Sequence, residues 1–322
     1  MKALRLTGGH VKLCDVQLPV PAAEVRIKVR LAGICRTDLE LAGGYMAYEG
    51  VLGHEFVGTL LDPAGGLPAG SRVVGEINCG CGTCSWCVSG LERHCPQRTV
   101  LGILGRDGCF AECVTLPTRN LVAVPEWVPD ERAVFAEPLA AVLEIFEQIP
   151  IRPMDSVAIV GDGKLGLLAG MVFSLRHTGR VTLIGHHVSK WARVPGPEAL
   201  HEADVRVEHR GAFDLVVEAS GTSAGLRRAL EIARPRGTII LKSTMKRAEP
   251  VDLTLAVINE LSVVGSRCGR LPAAVSFLER VDAPVERLID TTYPLHQAER
   301  AWEHASRPGA LKVCLRPSDD GV

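Results

Sequence analysis

The chain has 322 residues, with 36 Lys or Arg against 37 Asp or Glu and a formal net charge of −1 at pH 7. A chain of this length predicts two domains, each able to bury a core that is stable without disulfide bonds. The balanced charge gives no basic surface for nucleic acid or an acidic membrane. The start is unlike a signal peptide and no apolar run reaches membrane length, so we expect a cytoplasmic protein.

The first 138 residues carry the pattern of β-strands. In EVRIKVRL, residues 24–31, apolar side chains alternate with basic ones, as in a strand with one face in a core. We predict a mostly β domain over residues 1–138. Residues 268–322 are too few for a third domain, and we expect them to belong to this first one.

Five cysteines lie within the eighteen residues NCGCGTCSWCVSGLERHC, which end at Cys95. In a reducing compartment such a cluster is more often a metal site than a set of disulfides. The spacing C-x2-C-x2-C-x7-C allows four thiolates to surround one Zn²⁺ with no open coordination position, so we predict a structural zinc lobe over residues 79–95. Its predicted ligands are Cys81, Cys84, Cys87 and Cys95. Cys79 precedes this run and is not expected to bind the metal.

From about residue 139, short apolar strands alternate with helical segments. Most of these strands are spaced roughly 20 to 25 residues apart, which is typical of the βα units of a doubly wound parallel sheet. We therefore predict a Rossmann domain over residues 139–267 and an α/β fold class for the chain. The candidate strands are Val157–Val160, Val181–Ile184, Val205–Val207, Leu215–Val217, Ile239–Leu241 and Leu261–Val264.

The segment SVAIVGDGKLGLLAG follows a strand–turn–helix pattern with a G-x-G-x-x-G motif at the turn. The first glycine allows a tight turn, the second a close approach of backbone to pyrophosphate, and the third close packing of helix on strand. Free N–H groups at the helix N-terminus would bind the phosphates. We predict dinucleotide binding, with an ordinary glycine-rich turn as the alternative. The predicted contacts are Gly161, Gly163, Lys164, Leu165 and Gly166.

Five motifs occur in a specific order along the chain: GICRTD from Gly33, GHE from Gly53, the four-cysteine lobe, FAEP from Phe135, and the Gly161 loop. Together they resemble the zinc-dependent medium-chain alcohol dehydrogenase family over nearly the whole chain. The resemblance implies a GroES-like catalytic domain, formed by the N-terminal part and the C-terminal tail, with a Rossmann domain inserted between them. It also implies a catalytic zinc in a cleft at the domain junction, and a homodimer or homotetramer.

By this resemblance, Cys35 and His54 bind the catalytic zinc, which needs three protein ligands and one position for the substrate oxygen. The third family ligand is usually a cysteine, or a glutamate in polyol and sugar dehydrogenases, and this chain has Glu137 there. The position thus resembles the polyol branch, and we expect the harder carboxylate to hold zinc more weakly than a thiolate would. Glu55 follows the histidine and is a further candidate ligand.

The resemblance also assigns the proton chemistry. Thr37 matches the family hydroxyl that passes on the alcohol proton, and Asp38 matches the carboxylate that orients the histidine ligand. Where family members commonly carry a histidine at the end of the relay, this chain has Glu40. A glutamate can accept a proton at a surface, so we expect either a relay with an altered pH dependence or proton release through water.

The second Rossmann strand lacks the acidic residue that accepts hydrogen bonds from the ribose 2′-OH of NAD. In LIGHHVSK the position that closes the strand is Gly185, followed by His186, His187 and Lys190. A small residue leaves room for a 2′-phosphate and the basic groups supply donors. We therefore predict a preference for NADP(H) that weakens above about pH 7. The alternative is that the histidines are solvated and NAD(H) is accepted as well.

These motifs and the family that they resemble imply a zinc-dependent oxidoreductase that transfers a hydride between NADP(H) and an alcohol or polyol, or its carbonyl. It would hold one catalytic and one structural zinc. The main alternative is a catalytically silent, cofactor-binding relative, and the presence of all three catalytic ligands argues against it. A zinc-ribbon interaction module would need paired C-x2-C knuckles about 15 to 20 residues apart and basic patches, which the sequence lacks.

Overall fold

The computed structural model describes residues 1–18, 24–244 and 250–317. The chain divides into two compact units, one of Met1–Pro138 with Arg270–Val322 and one of Leu139–Gly269. No helix in the described ranges is long and apolar enough to cross a membrane.

The first unit begins with short strands and helices. Strand β3 shows the predicted alternation, because every second side chain from Val25 to Val29 is buried. The strands are β1 (Lys2–Thr7), β2 (His10–Asp15), β3 (Val25–Ile34), β4 (Gly50–Val51), β5 (Glu55–Leu60), β6 (Arg72–Gly75), β7 (Asn78–Cys79), β8 (Thr99–Val100), β9 (Cys113–Leu116) and β10 (Leu121–Ala123). The helices are α1 (Arg36–Ala42), α2 (Ser85–Val88) and α3 (Asp130–Ala133).

The second unit is a sheet whose neighbouring strands are all parallel. Its helices are α4 (Ala136–Gln148), which begins just ahead of the unit, α5 (Lys164–Arg176), α6 (Val188–Trp191), α7 (Ser223–Ile232) and α8 (Thr254–Ile258). Its strands are β11 (Val157–Val160), β12 (Val181–Gly185), β13 (Glu198–His201), β14 (Phe213–Glu218), β15 (Ala233–Leu241) and β16 (Ser262–Gly265). The order β13-β12-β11-β14-β15-β16 reverses direction next to β11, as in a Rossmann sheet. The predicted fold class is confirmed.

The last segment completes the main sheet of the first unit. It contains α9 (Leu271–Arg280), β17 (Ile289–Pro294), α10 (Ala298–Ser306) and β18 (Lys312–Arg316). The sheet has the order β10-β6-β5-β3-β18-β17, and β9 also pairs with β3. Two smaller sheets in the unit have the orders β2-β1-β4 and β7-β8.

One predicted Rossmann strand, Val205–Val207, is wrong. The structure has 3-10 turns on either side of Val205, and the third strand is Glu198–His201 instead. This strand lies at the edge of the sheet and pairs only with β12 among the described strands. Because an edge strand needs little apolar surface, EALH carries a weak strand signal. VRV has the alternation of a strand, but Val205 is partly buried between two 3-10 turns and Val207 is exposed. The other five predicted strands are confirmed.

The core of the second unit generates a stability prediction. Val216 lies in the central strand β14 and is fully buried, whereas Val207 is 75% exposed. We expect Val216→Ala to lower the free energy of unfolding by about 2–3 kcal/mol, because it removes buried methyl groups and leaves a cavity. Val207→Ala is the matched control and should change it by less than about 0.5 kcal/mol. Urea titration followed by circular dichroism measures both, and equal effects would contradict the assigned core.

Candidate functional site

The four-cysteine lobe brings its thiols to metal-binding distance. Sγ of Cys84 lies 3.6 Å from Sγ of Cys87 and 3.7 Å from Sγ of Cys95. The Sγ atoms of Cys81 and Cys87 are 3.9 Å apart. Four sulfurs at about 2.3 Å from a tetrahedral zinc would be separated by about 3.8 Å, whereas a disulfide requires about 2.05 Å. All four thiols are free. The donor set therefore fits a closed zinc site.

Hydrogen bonds favour the thiolate form of Cys81, whereas burial raises the pKa of Cys87. Backbone N–H groups of Thr83 and Cys84, with the Thr83 hydroxyl, lower the pKa of the Cys81 thiol to about 6. Cys79 lies outside the group of four. It is buried in β7 and its Sγ lies 3.4 Å from the side-chain amide of Asn120. Its exclusion from the predicted ligand set agrees with this position.

A second group of ligand-type atoms lies where β3 ends and β5 begins. The two strands are antiparallel neighbours, and Gly33 pairs with Glu55. Cys35 follows β3 and His54 precedes β5, so this register brings them together. The ligand-type atoms of Cys35, His54 and Glu55 lie within 4.8 Å of one another.

Asp38 connects the two predicted zinc ligands. Its Oδ2 accepts the backbone N–H of Cys35 at 2.8 Å, and its Oδ1 lies 3.2 Å from Nδ1 of His54. The side chains of Asp38 and His54 are both buried. Within the described structure, neither Oδ1 of Asp38 nor Nδ1 of His54 has a hydrogen bond of good geometry. Burial lowers the pKa of His54, but the charges of Asp38 and Cys35 raise it well above its usual value. With Nδ1 next to Asp38, Nε2 is the ring nitrogen left for a metal.

The buried ion pair between Glu55 and Lys312 lies beside this group and was not anticipated from the sequence. Lys312 comes from β18, and its Nζ also lies 5.5 Å from the ring centroid of Phe135. Burial lowers the pKa of Lys312, but the charges of Glu55 and Cys35 raise it above its usual value. The sequence did contain a signal for this ion pair, because Lys312 is the single charged residue in the apolar segment ALKVCL and a buried lysine requires a partner.

The remaining predicted catalytic residues lie on α1 and α4. Oγ1 of Thr37 is 3.8 Å from Sγ of Cys35. The carboxylate of Glu40 forms an ion pair with Arg36 at 3.3 Å. Glu137, in the first turn of α4, is partly buried and lies outside the 4.8 Å group formed by the other candidate ligands. Its role as third ligand stays a prediction.

In the second unit, a cleft of about 270 Å³ opens at the carboxyl ends of the parallel strands. Two glycines of the predicted motif, Gly161 and Gly166, lie so close to neighbouring backbone that a side chain would not fit there. Gly161 has φ +109°, and a Cβ there would come within 2.7 Å of the Ser220 nitrogen. A Cβ on Gly166 would collide with the carbonyl oxygen of Gly161. Helix α5 begins at Lys164, directly after Gly163, so its free N–H groups start at this loop.

Most of the predicted cofactor residues line this cleft. Its walls include Gly161, Gly163, Gly185, His186, His187 and Lys190. Lys164 and Leu165 are in the first turn of α5.

The interpretation of Gly185 is wrong in one respect. The sequence suggested that this position lacks a carboxylate and leaves room for a phosphate. In the structure the buried side chain of Asp162, from the glycine loop, fills that space, and a Cβ on Gly185 would collide with it. Asp162 was missed because it lies on a different loop from the strand end where an acidic residue is normally sought.

Known proteins resemble this chain in sequence and structure. Residues 21–126 match the model of the alcohol dehydrogenase GroES-like domain. A sorbitol dehydrogenase of Halalkalibacterium halodurans is 30% identical over 99% of this chain and 100% of its own.

Two solved structures superpose with a TM-score of 0.89 each, covering 98% of this chain and 99% of theirs. One, a protein of Sinorhizobium meliloti described as a zinc-binding dehydrogenase and bound to NADP, is 27% identical. The other, an alcohol dehydrogenase of Escherichia coli complexed with NADH, is 25% identical. The chain therefore belongs to the zinc-dependent medium-chain alcohol dehydrogenase family, a family of oxidoreductases that act on alcohols.

Proposed function

We propose that the protein is a zinc-dependent dehydrogenase that transfers a hydride between NADP(H) and a polyol or related alcohol, or the corresponding carbonyl. The observation that carries the proposal is the convergence of Cys35 and His54, with Asp38 behind the histidine ring. A soft thiolate and an oriented imidazole are the donors that a catalytic zinc requires.

The charges around this group favour Glu137 as the third ligand. A zinc bound by Cys35 and Glu137 has its two positive charges balanced by one thiolate and one carboxylate. Glu55 is already balanced by Lys312, so it adds no net charge to the site. When bound, zinc would act as a Lewis acid and lower the pKa of the alcohol hydroxyl group.

The side chains on α1 would handle the proton that the alcohol loses. Thr37 is close enough to Cys35 to lie beside a bound alcohol, and its hydroxyl can both accept and donate a hydrogen bond. Glu40 is the proposed acceptor beyond it. Arg36 forms an ion pair with Glu40 at 3.3 Å, and Glu40 lies on the same helix as Thr37.

Support for a nicotinamide cofactor comes from the glycine loop and the cleft of the second unit. One structural relative was solved with NADP and another with NADH. The preference for NADP(H) is proposed because His186, His187 and Lys190 line the cleft. Charge-assisted hydrogen bonds to a phosphate are worth about 1.5–3 kcal/mol.

The polyol assignment has two supports. Glu137 stands where the polyol branch of the family carries glutamate, and a 30% identical relative is a sorbitol dehydrogenase. A panel of polyols, sugars and secondary alcohols, followed by the absorbance of the reduced cofactor, tests the substrate class.

The edge of the Rossmann sheet supports assembly as a homodimer. Strand β16 lies at the end of the sheet opposite β13. Just before it in the chain, α8 exposes apolar side chains, with Val257 78% and Ile258 68% exposed, and Val263 on β16 is also exposed. An exposed strand edge with an apolar patch is a template for pairing with a second copy about a two-fold axis.

The metal assignment predicts that the purified protein holds two zinc ions per chain and that Glu137→Ala holds one. We expect the variant to lose at least about a thousandfold in kcat/KM, because the Lewis acid is lost while the fold remains. Elemental analysis and initial rates measure both quantities. Glu147→Ala, at an exposed position of the same helix, is the matched control. Near-native activity of Glu137→Ala would contradict its role as a ligand, and one zinc in the wild-type protein would favour the silent relative.

The cysteine lobe predicts a separate stability effect. Cys95→Ser should lower the melting temperature by roughly 5–10 °C, because opening a closed zinc site costs folding free energy rather than a catalytic group. Cys79→Ser is the matched control in the same lobe and should keep the zinc. Differential scanning calorimetry with zinc analysis measures both. Lost turnover with unchanged melting would show that this lobe holds the catalytic metal instead.

The assembly prediction is tested by placing a charge on the sheet edge. Val263→Lys should convert a dimer into a monomer, because it would bury an unpaired ammonium group between the two copies. Val207→Lys is the control, because Val207 is exposed in a turn that is not part of β16, and this variant should leave the dimer intact. Sedimentation velocity distinguishes the two states, and a dimer that survives Val263→Lys would exclude this edge as the interface.

A further inference from the structure

Asp162 and His187 are joined across two loops at the end of the cleft. Oδ1 of Asp162 lies 3.0 Å from Nδ1 of His187. Oδ2 accepts the backbone N–H groups of His186 at 2.9 Å and His187 at 2.5 Å, and the indole N–H of Trp191 at 3.3 Å. The carboxylate is therefore largely satisfied by protein donors.

This arrangement differs from that of an NAD-specific Rossmann domain. There, the carboxylate at the end of the second strand accepts hydrogen bonds from the ribose hydroxyls. Here, Asp162 is buried while the imidazole of His187 is half exposed and lines the cleft. Asp162 also borders the cleft, but its oxygens are engaged by protein donors, so the imidazole is the group available to a ribose 2′ substituent.

Other charged groups surround the pair. Burial raises the pKa of Asp162, but the hydrogen bonds and the charges of His187 and Lys190 hold it below its usual value. Glu202 lines the same cleft, and it is paired with Arg228 at 2.7 Å. The titratable groups near His187 are Asp162 from the glycine loop, Lys190 on α6, His186 in the same turn, and His201 and Glu202 at the end of β13.

We infer that Asp162 and His187 form a dyad that discriminates between a 2′-phosphate and a 2′-hydroxyl through the charge on the His187 ring. The inference rests on the proposed nicotinamide cofactor. Asp162 is a positioning residue: because its carboxylate can only accept, it keeps a proton on Nδ1 in both charge states of the ring. Nε2 is then the atom that changes, donating to a phosphate when the ring is charged and accepting from a hydroxyl when it is neutral.

The dyad makes cofactor preference depend on pH. A histidine changes charge between about pH 5 and 8, so the ratio of NADH to NADPH dissociation constants should fall by roughly tenfold between pH 6.5 and 8.5. The 2′-phosphate gains its second charge near pH 6. This ionisation would strengthen NADPH binding as pH rises, so it cannot produce the expected loss.

The test is fluorescence titration of the full-length protein with NADPH and with NADH at both pH values, without an alcohol. Asp162→Asn retains an oxygen for the backbone N–H groups but turns an amide towards Nδ1, which then must accept. His187→Gln cannot change charge. We expect each variant to reduce the pH dependence of the ratio to less than about twofold, and the double variant to resemble the single ones.

Two further variants separate the dyad from general electrostatics. His187→Arg carries a permanent charge and should keep the NADPH preference at both pH values. Lys190→Gln should weaken NADPH binding by a similar factor at both pH values and leave the pH dependence in place.

Tight NADPH binding with a flat pH dependence in the wild-type protein would overturn the dyad alone. A gain in NADPH affinity at pH 6.5 in Asp162→Asn would also overturn it, because Asp162 would then repel the phosphate instead of orienting the ring. Failure of both cofactors to bind would overturn the proposed function, and the dyad with it.

Discussion

The pairing of Gly33 with Glu55 between β3 and β5 is the constraint on which the candidate metal site depends. It aligns the end of one strand with the start of the next, so that Cys35 meets His54. A Cβ at position 33 would come within 2.7 Å of Oε2 of Glu55, so a larger residue there would displace the buried side chains of Glu55 and Lys312. A shift of register by one residue would turn these side chains to the other face of the sheet and disperse the group.

The same strand also brings in the C-terminal segment. Gly33 pairs with Cys314 of β18 on its other side, which places Lys312 next to Glu55. Burying either charge alone would cost several kcal/mol, so each requires the other. The last strand therefore both completes the sheet and neutralises a carboxylate beside the proposed metal ligands. Asp38 has a similar dual role, since it accepts the N–H of Cys35, the residue before α1, and faces the histidine ring.

In the second unit, close packing determines which groups reach the cofactor cleft. The glycines at 161 and 166 let α5 approach β11, and Gly185 leaves the volume that Asp162 fills. The loop after β12 then has its N–H groups bound to that carboxylate, and its imidazole rings lie at the cleft. The recognition that we propose at the ribose 2′ position thus depends on two loops from different strands.

The sequence by itself determined the Rossmann strands with strong apolar signals, the glycine loop and the four-cysteine lobe, because each rests on local spacing and composition. It did not locate β13, whose edge position needs little apolar surface. Lys312 next to Glu55 and Asp162 behind His187 were decided only by tertiary structure. In both pairs the partners lie on separate segments, and each buried charge is tolerated only because strand register or packing brings its partner to it.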